Sequence, residues 1–530
     1  MTPRRFASSP APGGRPPARE PGSPATPAGL LRALLPPAVF LSGAVVMVLE
    51  ILGTRLIGPV YGTNLYVWSA LIAVTLVSLS AGYWLGGRVS DRRPDPGLFF
   101  LLFELAALLI ALVPLVRAPV FGLTRGLGLR GGALASAALF LAAPLVVLGM
   151  LSPFAVRLAA RMVEQVGRTA GRLYAVSTAG SLVGTLLTGF VLIPEFRVRT
   201  LFFGAAAVLL LPAVIYQAAA SRRGLGAAGV AGLALGWAAA RPPATSSQVV
   251  EVRESAYSQI KVAQGGNFRA LFLNGATQTI VDPVTGRGLT TYPYLMADAA
   301  WRAAPQGRRA LIVGLGGGLL PGLLETWGVR STVLEIDPAM VEVAARDFGF
   351  DPRRARVAIG DGRRLLAADT ARYDYILLDA FAGEQVPIHM LTSEMMEVVD
   401  RHLAPRGVVV LNYVGYRDGP EARPLRSVAR TIAARFPWIR VLPCGTPGRF
   451  GGNVLVAGRA PVVPAEGPRP FRVPAFVDSQ LAAARPLPLR GPGTLLTDDY
   501  NPLDLWSLAG HEEGRRESLA WLPWDVTLAE

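Results

Sequence analysis

A chain of 530 residues is long enough for several domains with sizeable cores, and 51% hydrophobic against 17% charged content with a mean hydropathy of +0.39 points to a membrane protein. The formal charge of +15 is almost entirely arginine, with Lys261 the only lysine, and no basic stripe interleaved with aromatics occurs, so nucleic acid is excluded as a partner. Cys444 is the only cysteine, which rules out intramolecular disulfides and cysteine-based zinc sites; His389, His402 and His511 lack metal-ligand spacing and read as surface or loop residues.

Residues 1–29 are rich in Pro, Ala, Gly, Ser and Arg and predict a disordered tail. A transmembrane domain follows over 30–241. Apolar runs at 34–57, 65–86, 98–116, 133–151, 173–193, 201–216 and 225–240 mostly approach the ~20 residues that cross a bilayer. The last two are short, so six or seven spans are expected, eight at most. Gly180, Gly184 and Gly189, with Ser177 and Ser181, have the spacing of close helix packing. Glu50 and Glu104 lie within apolar runs, where a carboxylate is costly and marks either a functional site or an interfacial helix end. Arg55 stands five residues after Glu50 as a partner for it.

The texture changes at residue 249. Short alternating segments over 249–293, such as SQIKVAQ and RALFLNG, predict a small β-rich lead-in domain. Residues 294–460 alternate strands and helices, as an α/β Rossmann-like domain with a parallel sheet does. A Pro-rich C-terminal extension over 461–530 contains TLLTDDYNPLDLW and is expected to pack on the α/β domain.

The chemistry-bearing residues lie at strand ends. Gly314, Gly316 and Gly318 follow the strand ALIV, where glycine lets the backbone approach a ligand and the next helix offers N–H groups. Glu335 ends the following strand about twenty residues on, where a carboxylate accepts both ribose hydroxyls. Asp361 and Gly362 follow ARVAIG; the aspartate there takes a bond from an adenine amino group, or serves only as a turn residue. Asp379 ends YDYILLD at the sheet edge where open α/β sheets place ligands, and can orient or deprotonate a nucleophile.

These residues resemble the spermidine synthase family, the polyamine aminopropyltransferases, from about Tyr257 to Gly458: YSQIKV with Gln259, LNGATQ with Gln278, the glycine turn, LEIDP with Glu335, IGDG with Asp361, YDYILLDAF with Asp379 and VPIHMLTSEMM with Pro387. The N-terminal half resembles the membrane region of bacterial proteins fused to such a domain. The resemblance implies transfer of an aminopropyl group from decarboxylated S-adenosylmethionine to an amine, putrescine or a related polyamine, with release of methylthioadenosine and no tightly bound cofactor. It implies that Gln259, Gly314, Gly316, Glu335, Asp361, Gly362 and Pro387 hold the donor, that Asp379 is the catalytic base, and that the protein forms a homo-oligomer.

Three positions depart from the family. Soluble members carry a second Asp three residues after the base, where Ala382 stands, and an Asp within the glycine turn, where Gly317 stands. Their Tyr-His-Glu segment is here Tyr292-Pro293-Tyr294. Those groups read the two ends of a cationic diamine, so the replacement candidates for the acceptor are Gln278, Tyr292, Glu384, Asp498 and Asp499. Two other classes share parts of this pattern: an S-adenosylmethionine-dependent methyltransferase, and a membrane transporter or sensor with a non-catalytic nucleoside-binding domain.

Sidedness sets two arguments against each other. The arginines at 4–32, 88–93, 157–172 and 222–223 face the cytoplasm by the positive-inside rule. Six spans put the soluble part on that same side, and seven put it outside. The inferred donor is made in the cytoplasm, and on that ground the soluble domain of this multi-pass membrane protein is expected there.

Overall fold

The computed structural model describes residues 27–160, 166–220, 223–239, 248–384, 386–445, 448–461, 463–521 and 524–529. The expected disordered tail falls almost wholly outside them. The N-terminal half is helical: α1 (Pro27–Tyr61), α2 (Leu65–Arg92), α3 (Pro96–Leu112), α4 (Arg117–Thr124), α5 (Gly128–Ala137), α6 (Ala143–Ala159), α7 (Val166–Leu187), α8 (Ile193–Glu195), α9 (Val198–Ala219) and α10 (Arg223–Ala239). Among the described residues, five helical stretches are long and apolar enough to cross a membrane. One of them, Pro96–Ala159, is interrupted by 3-10 turns at Val113–Val116 and Arg125–Leu127, and its two ends, α3 and α6, pack against each other. It is therefore a hairpin. With the shorter Gly226–Ala239, the chain presents seven apolar runs among the described residues.

A single apolar core fills this bundle, while Val77, Phe190 and Leu235 point outward at 69%, 78% and 71% exposure. An apolar outer face of this kind marks a surface for a membrane or for another protein. Gly180 and Gly184 of α7 lie so close to α1 that an added Cβ would stand 2.0 Å from the Phe40 carbonyl and 2.6 Å from that of Ala44, and Ser181 Oγ donates to the Gly43 carbonyl at 3.0 Å. Close packing is thus the role of these two glycines; Gly189 has open space around it. Glu104 is buried at mid-helix in α3, beside Gly229 of α10, and so is no interfacial residue. Arg55 does not pair with Glu50. It reaches out of the bundle to Glu254.

The soluble half begins with a four-stranded antiparallel sheet, β1 (Val249–Glu254), β2 (Gln259–Gly265), β3 (Phe268–Leu273) and β4 (Ala276–Val281). Then come α11 (Tyr292–Ala303), β5 (Arg309–Val313), α12 (Leu319–Glu325), β6 (Arg330–Glu335), α13 (Pro338–Asp347), β7 (Arg356–Ile359), α14 (Gly362–Ala368), β8 (Tyr373–Leu378), α15 (Ser393–His402), β9 (Leu403–Tyr416), α16 (Arg423–Arg435), β10 (Trp438–Pro443) and β11 (Phe450–Gly458). The tail adds α17 (Ala475–Ala483), α18 (Leu503–Trp506), α19 (Leu508–Trp521) and α20 (Trp524–Leu528). The seven strands run in the order β10-β11-β9-β8-β5-β6-β7. β7, β6, β5, β8 and β9 are parallel, and β11 and β10 join antiparallel. Two apolar layers, one on each face, bury this sheet, as a parallel sheet requires. This is a Rossmann-like domain carried behind a helical membrane domain.

Strand order reverses at β5: the chain steps first to β6 and β7, then back to β8 on the other side. The crevice at the carboxyl ends of β5 and β8 is where such sheets bind ligands. The soluble half sits on the end of the bundle where α1 finishes, since Arg515 of α19 donates to the Pro59 carbonyl and α8 touches β1. α2 then runs 28 residues, roughly 40 Å, away from that end. Arg88, Arg92 and Arg93 lie at its far terminus, where Asp91 pairs with Arg157 at the end of α6 (3.6 Å).

Candidate active site

The crevice holds a cavity of about 240 Å³. Each wall comes from a strand end. Gly314 follows β5 at φ +95°, and an added Cβ would stand 2.3 Å from the Asp379 carbonyl, so only glycine allows the β5 and β8 turns to approach this closely. Glu335 ends β6 and is 7% exposed; Oε2 accepts from the Leu315 N–H and Oε1 from the Asp337 N–H, both at 2.9 Å. Burial raises its pKa, and these two bonds oppose the rise. The carboxylate is thereby fixed with lone pairs left for hydroxyl donors in the cavity. Asp361 follows β7 and caps α14, Oδ1 accepting from the Arg364 N–H at 2.8 Å. Its Oδ2 lies 3.3 Å from His389 Nε2, so His389 is part of the site wall and not the ordinary loop residue expected from sequence.

Asp379 follows β8. Oδ1 accepts from Asn412 Nδ2 of β9 at 2.9 Å, and no other hydrogen bond is formed by the carboxylate among the described residues. Burial without a cationic partner pushes its pKa to about 7. An acid poised there is suited to accept a proton at neutral pH. Tyr292, half-buried, lines the same cavity, its hydroxyl donating to the Gln278 carbonyl at 3.1 Å; desolvation and the nearby Asp379 charge hold that phenol protonated. Gln278 Nε2 in turn donates to the Gly383 carbonyl at 2.9 Å. Gly314, Gly316, Gly362, Pro387, Gln278 and Tyr292 all line the cavity.

Four expected site residues are not brought in. Gln259 is 4% exposed and its Nε2 donates to Glu254 at 2.6 Å; its neighbours Tyr257 and Ser258 line the cavity instead. Glu384 is turned away into an ion pair with Arg515 (2.5 Å). Asp498 is held by both terminal nitrogens of Arg363, at 2.7 and 2.6 Å. Asp499 does not line the cavity. Ala382 lines it without a carboxylate, and Thr279 occupies the space beside Gly317, its hydroxyl accepting from the Gly317 N–H at 2.9 Å.

Sequence reasoning missed three contributors. Asn412 is the lone amide in the buried strand VVVLNYV, a signal that was available. Asp337, in the same LEIDP segment, takes a bond from Ser255 Oγ (2.5 Å) and ties the β1–β2 turn to β6. Thr63, in the hairpin between α1 and α2, also lines the cavity, and nothing in its surroundings marks it.

No protein-family profile matches the chain. Curated relatives do. A polyamine aminopropyltransferase of Vibrio vulnificus is 34% identical over 179 residues, which is 31% of this chain and 59% of that protein. An N-terminal histidine N-methyltransferase of Emericella nidulans is 32% identical over 24% of each chain. Polyamine aminopropyltransferase 2 of Ralstonia nicotianae is 25% identical across 84% of this chain and 91% of its own length. This chain spans less than two thirds of the first two relatives. Solved structures of spermidine synthases from Corynebacterium glutamicum and Thermotoga maritima align to 41% and 44% of it, at 23% and 19% identity, each with a TM-score of 0.35. By sequence the chain is similar to polyamine aminopropyltransferases, and the Ralstonia likeness takes in helical residues as well as the soluble half.

Proposed function

We propose that this protein is a membrane-bound transferase that moves an aminopropyl group from decarboxylated S-adenosylmethionine to an amine. The observation that carries the reading is Asp379: a half-buried carboxylate at the strand-order reversal, held on one oxygen by Asn412 and poised near pH 7. In this reading Glu335 holds the donor ribose, and the Asp361–Gly362 corner and Pro387 flank the adenine. The acceptor nitrogen enters beside Asp379. Its lone pair attacks the donor methylene next to the sulfonium, and the C–S bond breaks. The bonding pair passes to sulfur, leaving neutral methylthioadenosine. Asp379 takes the proton that the new ammonium sheds. The sulfonium is itself the leaving group, so the reaction calls for no resident cofactor. The small-molecule amine, the bilayer and a second copy of the chain are the partners this reading supplies, with the soluble domain on the cytoplasmic side, where the donor is made.

Calorimetry on detergent-purified protein with methylthioadenosine, decarboxylated S-adenosylmethionine and S-adenosylmethionine tests the assignment. The first two are expected to bind more tightly than the third. Preference for S-adenosylmethionine would overturn it in favour of methyl transfer. That second reading is favoured by one observation, the likeness to an N-methyltransferase, and its product would be S-adenosylhomocysteine.

A further inference from the structure

The helical bundle holds an acid to which the transferase reading gives no role. Glu104 lies on α3 and is 5% exposed; Gln217 lies on α9 and is 1% exposed. The Gln217 side-chain amide faces the Glu104 carboxyl, yet Glu104 Oε1 and both amide atoms close no hydrogen bond among the described residues. α10 covers the pair with a bare turn. An added Cβ at Gly229 would stand 3.2 Å from Glu104 Oε1, and one at Gly226 would stand 3.2 Å from Gln217 Oε1. Residues three apart are neighbours on a helix face, so the two side chains lie next to each other beneath backbone alone.

No cation compensates Glu104 among the described residues. Tyr216 of α9 stacks on Phe100 at 4.4 Å, Arg199 at the other end of α9 sits 5.5 Å over the Trp237 ring, and Arg157 of α6 pairs with Asp91. From Gly226 onward α10 carries no titratable group. A carboxylate in an apolar bundle is costly without a compensating charge, and where it persists it marks an ion or proton site. A proton supplies that charge without needing a cavity. Gln217 suits both forms of the acid: Nε2 donates to a carboxylate, and Oε1 accepts from a carboxylic O–H. From Pro96 to Glu104 α3 rises roughly 12 Å, and Gln217 stands just before the end of α9, so the pair lies nearer the arginine-bearing end of the bundle than the soluble half.

We propose that Glu104 and Gln217 form a proton-binding site within the membrane domain, with Glu104 carrying the proton and Gln217 bonding the acid in both of its states. The site is separate from the catalytic cavity and stands whether or not the transferase reading holds.

The test uses full-length protein in phosphatidylcholine vesicles. Dicyclohexylcarbodiimide, a lipid-soluble reagent, adds to a carboxyl only when that carboxyl brings its proton to the carbodiimide nitrogen. The adduct at Glu104 is quantified by peptide mass spectrometry between pH 5 and 9, which also separates it from any adduct at Glu50. Labelling of Glu104 is expected, falling about tenfold per pH unit above its midpoint. Gln217→Leu is expected to move that midpoint upward, because the amide bonds the ionised form more strongly than the neutral one. A role confined to helix packing would leave the midpoint in place. Glu104→Gln is expected to abolish the adduct, and the wild-type pH profile decides the matter even where a variant fails to fold. No label at any pH, label that does not vary with pH, or an unmoved midpoint in Gln217→Leu would overturn the proposal. Protection by sodium at constant pH would also overturn it, by assigning the site to a metal cation.

Discussion

Asp379 and Asn412 set the pH behaviour of the site. A carboxyl raised to about 7 is protonated below that point and cannot accept a proton, so turnover is expected to rise with pH through a midpoint near 7. Asn412 donates only to the ionised form's benefit, so Asn412→Leu is expected to move the midpoint upward in a kcat/KM profile. Stability runs the other way. A raised acid favours the fold while neutral, and that contribution is lost as pH rises through about 7. Asp379→Asn is therefore expected to unfold at higher temperature than wild type at pH 8, while losing about 10²–10⁴ in turnover. A purely binding protein would show the first effect without the second. At this scale the sequence was legible wherever a residue ends a parallel strand: Gly314, Glu335, Asp361 and Asp379 are placed by β5, β6, β7 and β8. It was illegible for Gln259, Glu384 and Asp498, because each is captured by a partner remote in sequence or on another element (Glu254, Arg515 and Arg363).

Elements couple the membrane to the cavity through a short chain of polar contacts. Arg55 of α1 donates to the Ser255 carbonyl at 3.1 Å and pairs with Glu254 at 3.7 Å; Ser255 Oγ then donates to Asp337 beside Glu335. The β1–β2 turn that carries Tyr257 and Ser258 into the cavity is thus hung on a membrane helix. Arg55→Ala removes this cation from Glu254 and frees the turn. Methylthioadenosine affinity is expected to fall about threefold to tenfold by calorimetry, with the pH midpoint of turnover unmoved. None of this was readable in advance, since a lone arginine in an apolar run pairs most simply with the nearest acid, Glu50, and the true partner is about 200 residues away. The helices and strands themselves were legible because their apolar periods are long and uninterrupted. The hairpin within Pro96–Ala159 was read as two spans for the same reason, and Arg117 and Arg125 fall in its turn region.

For the whole molecule, the arrangement of seven apolar runs puts the soluble half opposite Arg88, Arg92, Arg93 and Arg157. The positive-inside rule would send those arginines to the cytoplasm and the soluble half outside. A cytosolic donor demands the reverse. A Cys444→Ser background carrying Val284→Cys, at a site 91% exposed on the soluble half, separates them. The donor chemistry requires that a membrane-impermeant maleimide label Cys only after permeabilisation. Labelling in intact cells would exclude decarboxylated S-adenosylmethionine from the cytosol as the donor and end the transferase reading in its present form.

The C-terminal segment has a further meaning. Lys261, buried in the lead-in sheet, donates to the carbonyls of Val526 and Thr527 at 2.7 and 2.8 Å, and Arg515 bonds the carbonyls of Pro59 and Asn274 while pairing with Glu384. Residues 515–527 therefore clasp the end of α1, the lead-in sheet and the loop after Asp379 together, so a single proteolytic cut before Leu508 would unfasten three walls of the cleft at once.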